Sequence, residues 1–432
     1  MKFIDLFAGT GGMRLAMEQA AEELSLDVEC VFSSEIDPHA GKTYEANFHE
    51  QPYGDIKTVR SIIPGFDFML AGFPCQPFSY AGKQKGFCDT RGTLFFEIEE
   101  ILKEKKPKGF LLENVRGLTS HDKGRTFDTI LKSLEAMGYS VKYFFCNSSH
   151  YGVPQNRVRI FIVGFLGSDI ASNIVSSLGS SNSHAYKKNS EIDLFPSDLH
   201  MSGRVKVADI LEDEVEDIYY CTEVFTNMLS KAIDGDFSKL HGTRLIDYRG
   251  GNSLHSWDLG LKGDCTDDER RFMSELISNR RKKKFGTHQD GKKLSREQID
   301  TFFRSDNTNE IINGLLEKGY LSETEGKYNP VCGNMSFEVF KFLDPESISI
   351  TLTSSDAHRL GVVQNGLPRR ITPREAARLQ GFPESFVFPV SDKEIYKQMG
   401  NAVTVPVVKN ILLDFLFSNG FLTESDREVM YA

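Results

Sequence analysis

The chain has no CxxC pair, no Cys/His cluster at zinc-ligand spacing, and no apolar run reaching the ~18 residues a membrane span needs. These gaps argue against a zinc ribbon, a redox dithiol and a membrane-spanning helix. No N-terminal stretch joins a basic start, an apolar core and a small-residue cleavage site, so the expected location is the cytoplasm. The seven cysteines, at 30, 75, 88, 146, 221, 265 and 332, are scattered and odd in number, which points to reduced thiols. Positive charge is not in surplus either, the formal net charge being -10. A protein coated in basic surface is thereby excluded, but a local basic groove on an acidic body is not. Neither GxGxxG nor GxxxxGK[ST] occurs, which weighs against dinucleotide and P-loop binding.

What is present is enough chain for a large core: 432 residues, 40% of them hydrophobic, or two to three domains. Short apolar runs alternate with helical patterns through the first third. KFIDLF (2–7), VECVFSSEID (28–37), FDFMLAGF (66–73), GFLLENV (109–115) and VRIFIVGF (158–165) read as strands. Residues 11–24, 94–106 and 126–138 read as helices, the last stopped by Gly138. This alternation implies an α/β fold, a mainly parallel sheet with helices on both faces, whose ligands bind beyond the carboxyl ends of the strands. After about Phe165 the pattern breaks into a Ser/Asn-rich stretch, an acidic one at 208–220, and a mixed segment to about 366. Within it two helical patterns and a hairpin near 294–330 have the order of a winged-helix unit. Helical order returns at ITPREAARLQGFP (371–383), where Thr372 suits the N-cap, Pro373 the first position, Glu375 a capping box and Gly381 the stop. A last amphipathic helix spans 403–417.

Three places carry chemistry. DLFAGTGG (5–12) ends a strand and opens a helix, and its glycines let the backbone approach a ligand closely; packing a helix onto a strand is the plainer alternative. Glu35, near the end of the next strand, can grip ribose hydroxyls. Cys75 stands between Pro74 and Pro77 in GFPCQPFS, delivered by a strand to the same sheet edge. A lone cysteine is more often structural, but a thiol fixed at that edge, with Lys83, Lys85 and Arg91 following, suits a nucleophile.

DLFAGTGG, SEID, GDI, GFPCQPFS, RGTLFFEI, ENV, QNRVRIFIVG, TPREAARLQGFP and QMGNAVTVP occur in the order seen in C5-cytosine DNA methyltransferases, which the chain resembles over about 3–165 and 369–410. The resemblance implies a class I S-adenosylmethionine-dependent fold that methylates C5 of a flipped-out cytosine in a specific duplex sequence and releases S-adenosylhomocysteine. It implies catalytic roles for four residues. Cys75 adds to cytosine C6, Glu113 binds the N3 edge, Arg159 contacts O2, and Arg157 faces backbone phosphate or neighbouring loops. Asn114 would hold the turn after its strand, and Val158 stands where many relatives carry Glu. The cofactor pocket would comprise Phe7, Gly9, Gly11 and Gly12 at the methionine end and Glu35 at the ribose. Asp55 would take the adenine amine, Ile36, Ile56 and Pro74 would flank the ring, and Asn401 and Val403 would return from the far end of the chain.

By the same resemblance, 1–166 with 367–432 form the catalytic domain and 167–366 the target-recognition domain. Thr351 and Leu352 resemble a pair recurring near the flipped base. Arg280, Arg281, Lys282, Lys283 and Lys284, with Lys292, Lys293 and Arg296, are candidates for phosphate contact, although a charge run is often only a solvated face. The expected partners are double-stranded DNA and a cognate restriction endonuclease acting on the same site. The expected state is a monomer with no membrane contact and no metal. Two rivals remain at this point. One is a tRNA cytosine-5 methyltransferase of the same fold, to which the GFPCQPFS loop is a poor match. The other is a non-catalytic DNA-binding regulator, which would not need both Cys75 and Glu113.

Overall fold

The structure is a computed structural model, and it describes residues 1–73, 94–167, 205–286, 292–331 and 337–418. Pro74 and Cys75, like Lys83, Lys85 and Arg91, lie outside the described residues. The chain divides into two compact units. One holds Met1–Ile210, Ile348–Ala357 and Pro373–Ala432, and the other Leu211–Ser347 and His358–Thr372. The Thr351–Leu352 pair therefore packs with the first unit.

The first unit is built on strands β1 (Lys2–Leu6), β2 (Glu29–Ser34), β3 (Phe68–Gly72), β4 (Gly109–Val115), β5 (Tyr139–Asn147) and β6 (Val158–Leu166), in the order β2-β1-β3-β4-β6-β5. β1 pairs in parallel with β2 and β3, and β3 with β4. β6 runs antiparallel to both β4 and β5, between which it is inserted. The central β3 is apolar along almost its whole length, as befits a strand covered on both faces. Ile4, Leu6, Met69, Ala71, Phe110, Leu112, Ile160 and Ile162 join in the core.

Helices cover this sheet for reasons visible in the chain. Gly12–Glu23 buries Met13, Ala16, Met17, Ala20 and Ala21, the spacing of one helical face. Pro38–Phe48 starts where the Asp37 carboxylate accepts from the His39 and Ala40 amides, with Pro38 in the first turn. The helix Val405–Ser418 packs on Gly12–Glu23, pairs Lys409 with Glu23 at 2.7 Å and sets Phe415 against Phe68. Asp392–Leu416 is long and apolar enough by composition to cross a membrane, but it breaks between Asn401 and Val405 and 61% of its most apolar stretch is buried.

In the second unit, β7 (Arg244–Leu245), β8 (Ser253–Leu254), β12 (Lys341–Phe342), β13 (Leu360–Gln364) and β14 (Leu367–Arg370) form a sheet ordered β14-β13-β12-β7-β8. A smaller sheet, β10-β11-β9, joins β9 (Leu294–Ser295) to the hairpin of β10 (Leu321–Thr324) and β11 (Lys327–Pro330). Helices Arg296–Ile299 and Thr308–Glu317 stand between β9 and that hairpin, and Asp267–Asn279 precedes it. Their shared core includes Trp257, Phe272, Leu276, Leu294, Ile311, Leu315 and Tyr320.

Candidate active site

The carboxyl ends of β1, β2, β3 and β4 border one cavity of about 770 Å³, whose wall brings residues from both ends of the chain together. Phe7, Gly9, Gly12, Glu35, Ile36, Asp55, Ile56, Glu113, Arg157, Arg159, Asn401 and Val403 all line it. Gly11 stands behind the wall, at φ 86°, with the Phe48 ring 2.1 Å from where a Cβ would sit, so no other residue fits this turn. Phe7 also has positive φ, at 54°, a strained conformation for an aromatic residue and one that clusters at ligand sites.

Glu35 is fixed by two backbone donors: the Gly9 amide to Oε2 and the Asp37 amide to Oε1, both at 2.7 Å. Each oxygen keeps a lone pair for a hydroxyl. Asp55 caps the short helix Ile56–Val59 by accepting from Lys57 at 3.1 Å. Ile56 is buried, whereas Ile36 is 73% exposed, so an apolar wall stands open to solvent.

The opposite side of the cavity holds the charged groups. Glu113 stands near the end of β4 and meets the Arg159 Nε at 3.1 Å, across strands whose register places Val115 opposite Arg159. Burial raises the Glu113 pKa above the ordinary carboxylate value, opposed by Arg159 and then Arg157. Asn114 is buried and donates to the Phe73 carbonyl at 2.8 Å, fixing the end of β3. Arg157 does not reach outward: it is 2% exposed and donates to the carbonyls of Leu352, Gly400 and Ala402.

Two DNA-facing expectations need correction. Leu352 is 1% exposed, so its side chain is core, and its backbone is held by Gln155 and Arg157. Arg280 is likewise buried and donates to Asn329 at 2.7 Å, which ties Asp267–Asn279 to the β10–β11 hairpin. Lys292 is spent on the Arg281 and Lys282 carbonyls, and Arg296 bonds Asp300 and Asn309. Arg281, Lys282, Lys283, Lys284 and Lys293 remain exposed. Thr351 is half-buried and donates to the Asn156 carbonyl.

Sequence reasoning missed several wall residues. Lys397 meets Asp37 at 2.6 Å on the cavity lining. Gln398 and Thr10 line the cavity too, and the Gln398 Nε2 and Thr10 Oγ1 have no hydrogen-bond partner among the described residues. The QMGNAV motif pointed at this turn, but only its last residues were singled out.

Behind the wall, Asp5 is fully buried, and its carboxylate has no side-chain hydrogen-bond partner among the described residues. Burial pushes its pKa up to about 8. Between the ordinary carboxylate value and about 8, the folded protein keeps a proton that the unfolded chain releases, so stability falls as pH rises through that window. Asp5→Asn should remove this slope, and its melting temperature at pH 8 should exceed that of the unsubstituted protein by several degrees. Parallel pH–melting curves for the two proteins would refute the protonated state of Asp5.

A family model described as C-5 cytosine-specific DNA methylase matches residues 1–415. The Type II methyltransferase M.BanI of Aneurinibacillus aneurinilyticus is 60% identical over 419 residues, covering 97% of this chain and 96% of its own. M.HgiCI of Herpetosiphon aurantiacus, also a Type II methyltransferase, is 60% identical over 97% of this chain and 98% of its own. Among solved structures, the S. pombe Dnmt2 methyltransferase superposes with a TM-score of 0.53 at 19% identity, covering 98% of this chain and 100% of its own. That likeness concerns the fold alone.

Proposed function

The chain belongs to the C-5 cytosine-specific DNA methylase family and methylates cytosine in DNA, and we propose that it does so through a bond between Cys75 and C6 of a cytosine swung out of the duplex. The observation that carries this reading is the single cavity holding the Glu113–Arg159 pair and the Glu35 carboxylate together. S-adenosylmethionine, when bound, supplies an electrophilic methyl group. The residues fit it: Glu35 has lone pairs for the ribose hydroxyls, and Gln398 Nε2 and Thr10 Oγ1, without partners among the described residues, suit a charged amino-acid tail. Asp55 has a second oxygen for the adenine amine, and Ile36 and Ile56 flank its ring, with Pro74 the third neighbour. Phe7, Gly9, Gly11 and Gly12 shape the methionine end, and Asn401 and Val403 close the far wall.

Extruding the base costs a few kcal/mol, which DNA contacts must offset. Addition of the Cys75 thiolate at C6 drives electrons toward N3 and O2 and makes C5 nucleophilic. Glu113, held near its proton by burial, shares that proton with N3. Arg159 spends Nε on Glu113 and Nη1 on the Val158 carbonyl, and its Nη2 faces the charge growing on O2. C5 then takes the methyl group, a water molecule removes the C5 proton, and the electrons of that C–H bond expel the Cys75 thiolate while N3 returns its proton to Glu113, which restores the aromatic ring.

For DNA contact we propose Thr351 on the first unit and the exposed Arg281–Lys284 edge, with Lys293, on the second. The Type II names of relatives that match nearly the whole chain support a restriction–modification setting. There the enzyme, a cytoplasmic monomer, protects duplex DNA from an endonuclease that cuts the same sequence. The test is to incubate the protein and S-adenosylmethionine with genomic DNA and map 5-methylcytosine by bisulfite conversion. One cytosine in one recurring sequence is expected. Label in tRNA without any in duplex DNA would reverse the assignment.

A further inference from the structure

Arg157 sits where two turns meet. Its Nη1 donates to the Leu352 carbonyl at 2.9 Å. Its Nη2 donates to the Gly400 and Ala402 carbonyls at 3.3 and 2.7 Å. The first turn, Thr351–Ser355, presents Thr353, Ser354 and Ser355 to solvent, and Ser354 lines the cavity. The second flanks Asn401, also on the cavity wall. One planar guanidinium thus clasps both turns at once.

The surrounding contacts make the clasp stiff. Gln155 Oε1 accepts from the Leu352 amide at 2.9 Å, while its Nε2 donates to the Leu379 carbonyl and to Gln380 Oε1. Gln380 Nε2 in turn donates to the Met399 carbonyl at 2.6 Å. Gly400 touches the first turn so closely that a Cβ there would lie 2.2 Å from the Ser354 amide nitrogen. A displacement of Asn401 therefore has no slack in which to dissipate before it reaches Ser354. In a close-packed interior such movement is passed on rather than absorbed.

We propose that Arg157 is a positioning residue that couples cofactor binding at the Gly400–Ala402 turn to DNA binding at the Thr351–Ser355 turn. The proposal rests on the assignment of those two turns to cofactor and DNA given above. Anchoring a charge on three neutral carbonyls, away from solvent, is a poor arrangement for stability alone, because an apolar side chain would avoid the desolvation cost. Its planar fork does what a lysine ammonium cannot: it holds two separate chain segments in one geometry. By linkage, whatever one ligand gains from ordering this clasp the other must gain equally.

The test uses the full-length protein, S-adenosylhomocysteine and a duplex carrying the mapped target site. Each dissociation constant is measured by titration calorimetry, alone and with the other ligand saturating. In the unsubstituted protein each ligand should tighten the other by about tenfold, within the usual span of such couplings. Arg157→Lys should bring that factor to within about twofold of unity, while each ligand's affinity alone shifts by less than about threefold. Gln155→Met, which frees the Leu352 amide but leaves Arg157 in place, should lower the factor by about half and provides the answer if Arg157→Lys does not fold. Ser133→Ala, which removes a hydrogen bond to Glu99 without touching Arg157 or either turn, should leave the factor unchanged. Independent binding in the unsubstituted protein, or undiminished coupling in Arg157→Lys or Gln155→Met, overturns the proposal. Failure of the unsubstituted protein to bind either ligand would instead count against the assignment of the two turns.

Discussion

Cys75→Ala lowers methyl transfer by at least ~10⁴-fold while S-adenosylhomocysteine binding stays within about threefold. The magnitude follows from the chemistry. Without a bond to C6, C5 of cytosine is part of an electron-poor aromatic ring and has little tendency to attack an alkyl group. Neither carboxylate nearest the reaction replaces the sulfur: Glu113 is paired with Arg159, and Glu35 is held by the Gly9 and Asp37 amides with its free lone pairs assigned to the ribose. Asn114 anchors the Phe73 carbonyl, so the chain leaves β3 toward Cys75 from a fixed point beside Glu113. The measurement is single-turnover transfer of labelled methyl to duplex DNA, with calorimetry for the product cofactor. Full residual turnover would falsify the role of the thiol.

Glu113→Gln should reduce kcat by about 10²–10⁴-fold, the usual scale for removing a positioned acid, and leave cofactor affinity unchanged. An amide can donate to N3 but cannot hand over a proton as charge develops there. The pH profile separates this from a merely structural effect. Because burial raises the Glu113 pKa, the unsubstituted enzyme should lose kcat on the alkaline side as that proton leaves. The variant should lack this limb. Stability falls with rising pH in the same way, because above the ordinary carboxylate range the buried group costs folding energy, so Glu113→Gln, though slower, should melt no lower than the parent at pH 8. A variant that retains the alkaline limb would mean another group titrates.

The sheet was legible wherever the pattern was local. β1, β3 and β4 are short apolar runs beside glycine turns, and both the helix begun by Pro373 and the stop at Gly381, with φ 74°, follow from local turn chemistry. β5 was not read, because YSVKYFFCN follows a helix stop with no turn signal of its own and pairs only with an edge formed later in the chain. The helix Pro38–Phe48 was missed despite its Asp37–Pro38 start, since only Ala40, Thr43 and Tyr44 are buried along it. Reading Arg280 and Leu352 as DNA-facing failed for one reason. Charge and motif position indicate what a side chain can do, while burial depends on partners such as Asn329 and Gln155, 49 and 197 residues away. The clasp of Arg157 was illegible on the same grounds, its acceptors lying 195 to 245 residues along the chain.

The sulfur's role is tested most directly with a duplex carrying 5-fluorocytosine at the mapped target base, incubated with the protein and S-adenosylmethionine and digested for peptide mass spectrometry. Fluorine at C5 cannot leave as a proton does, so the account predicts a stable complex whose modified peptide carries the methylated base on Cys75. A protein that methylates ordinary DNA yet forms no such adduct, or bears it on another residue, would contradict it.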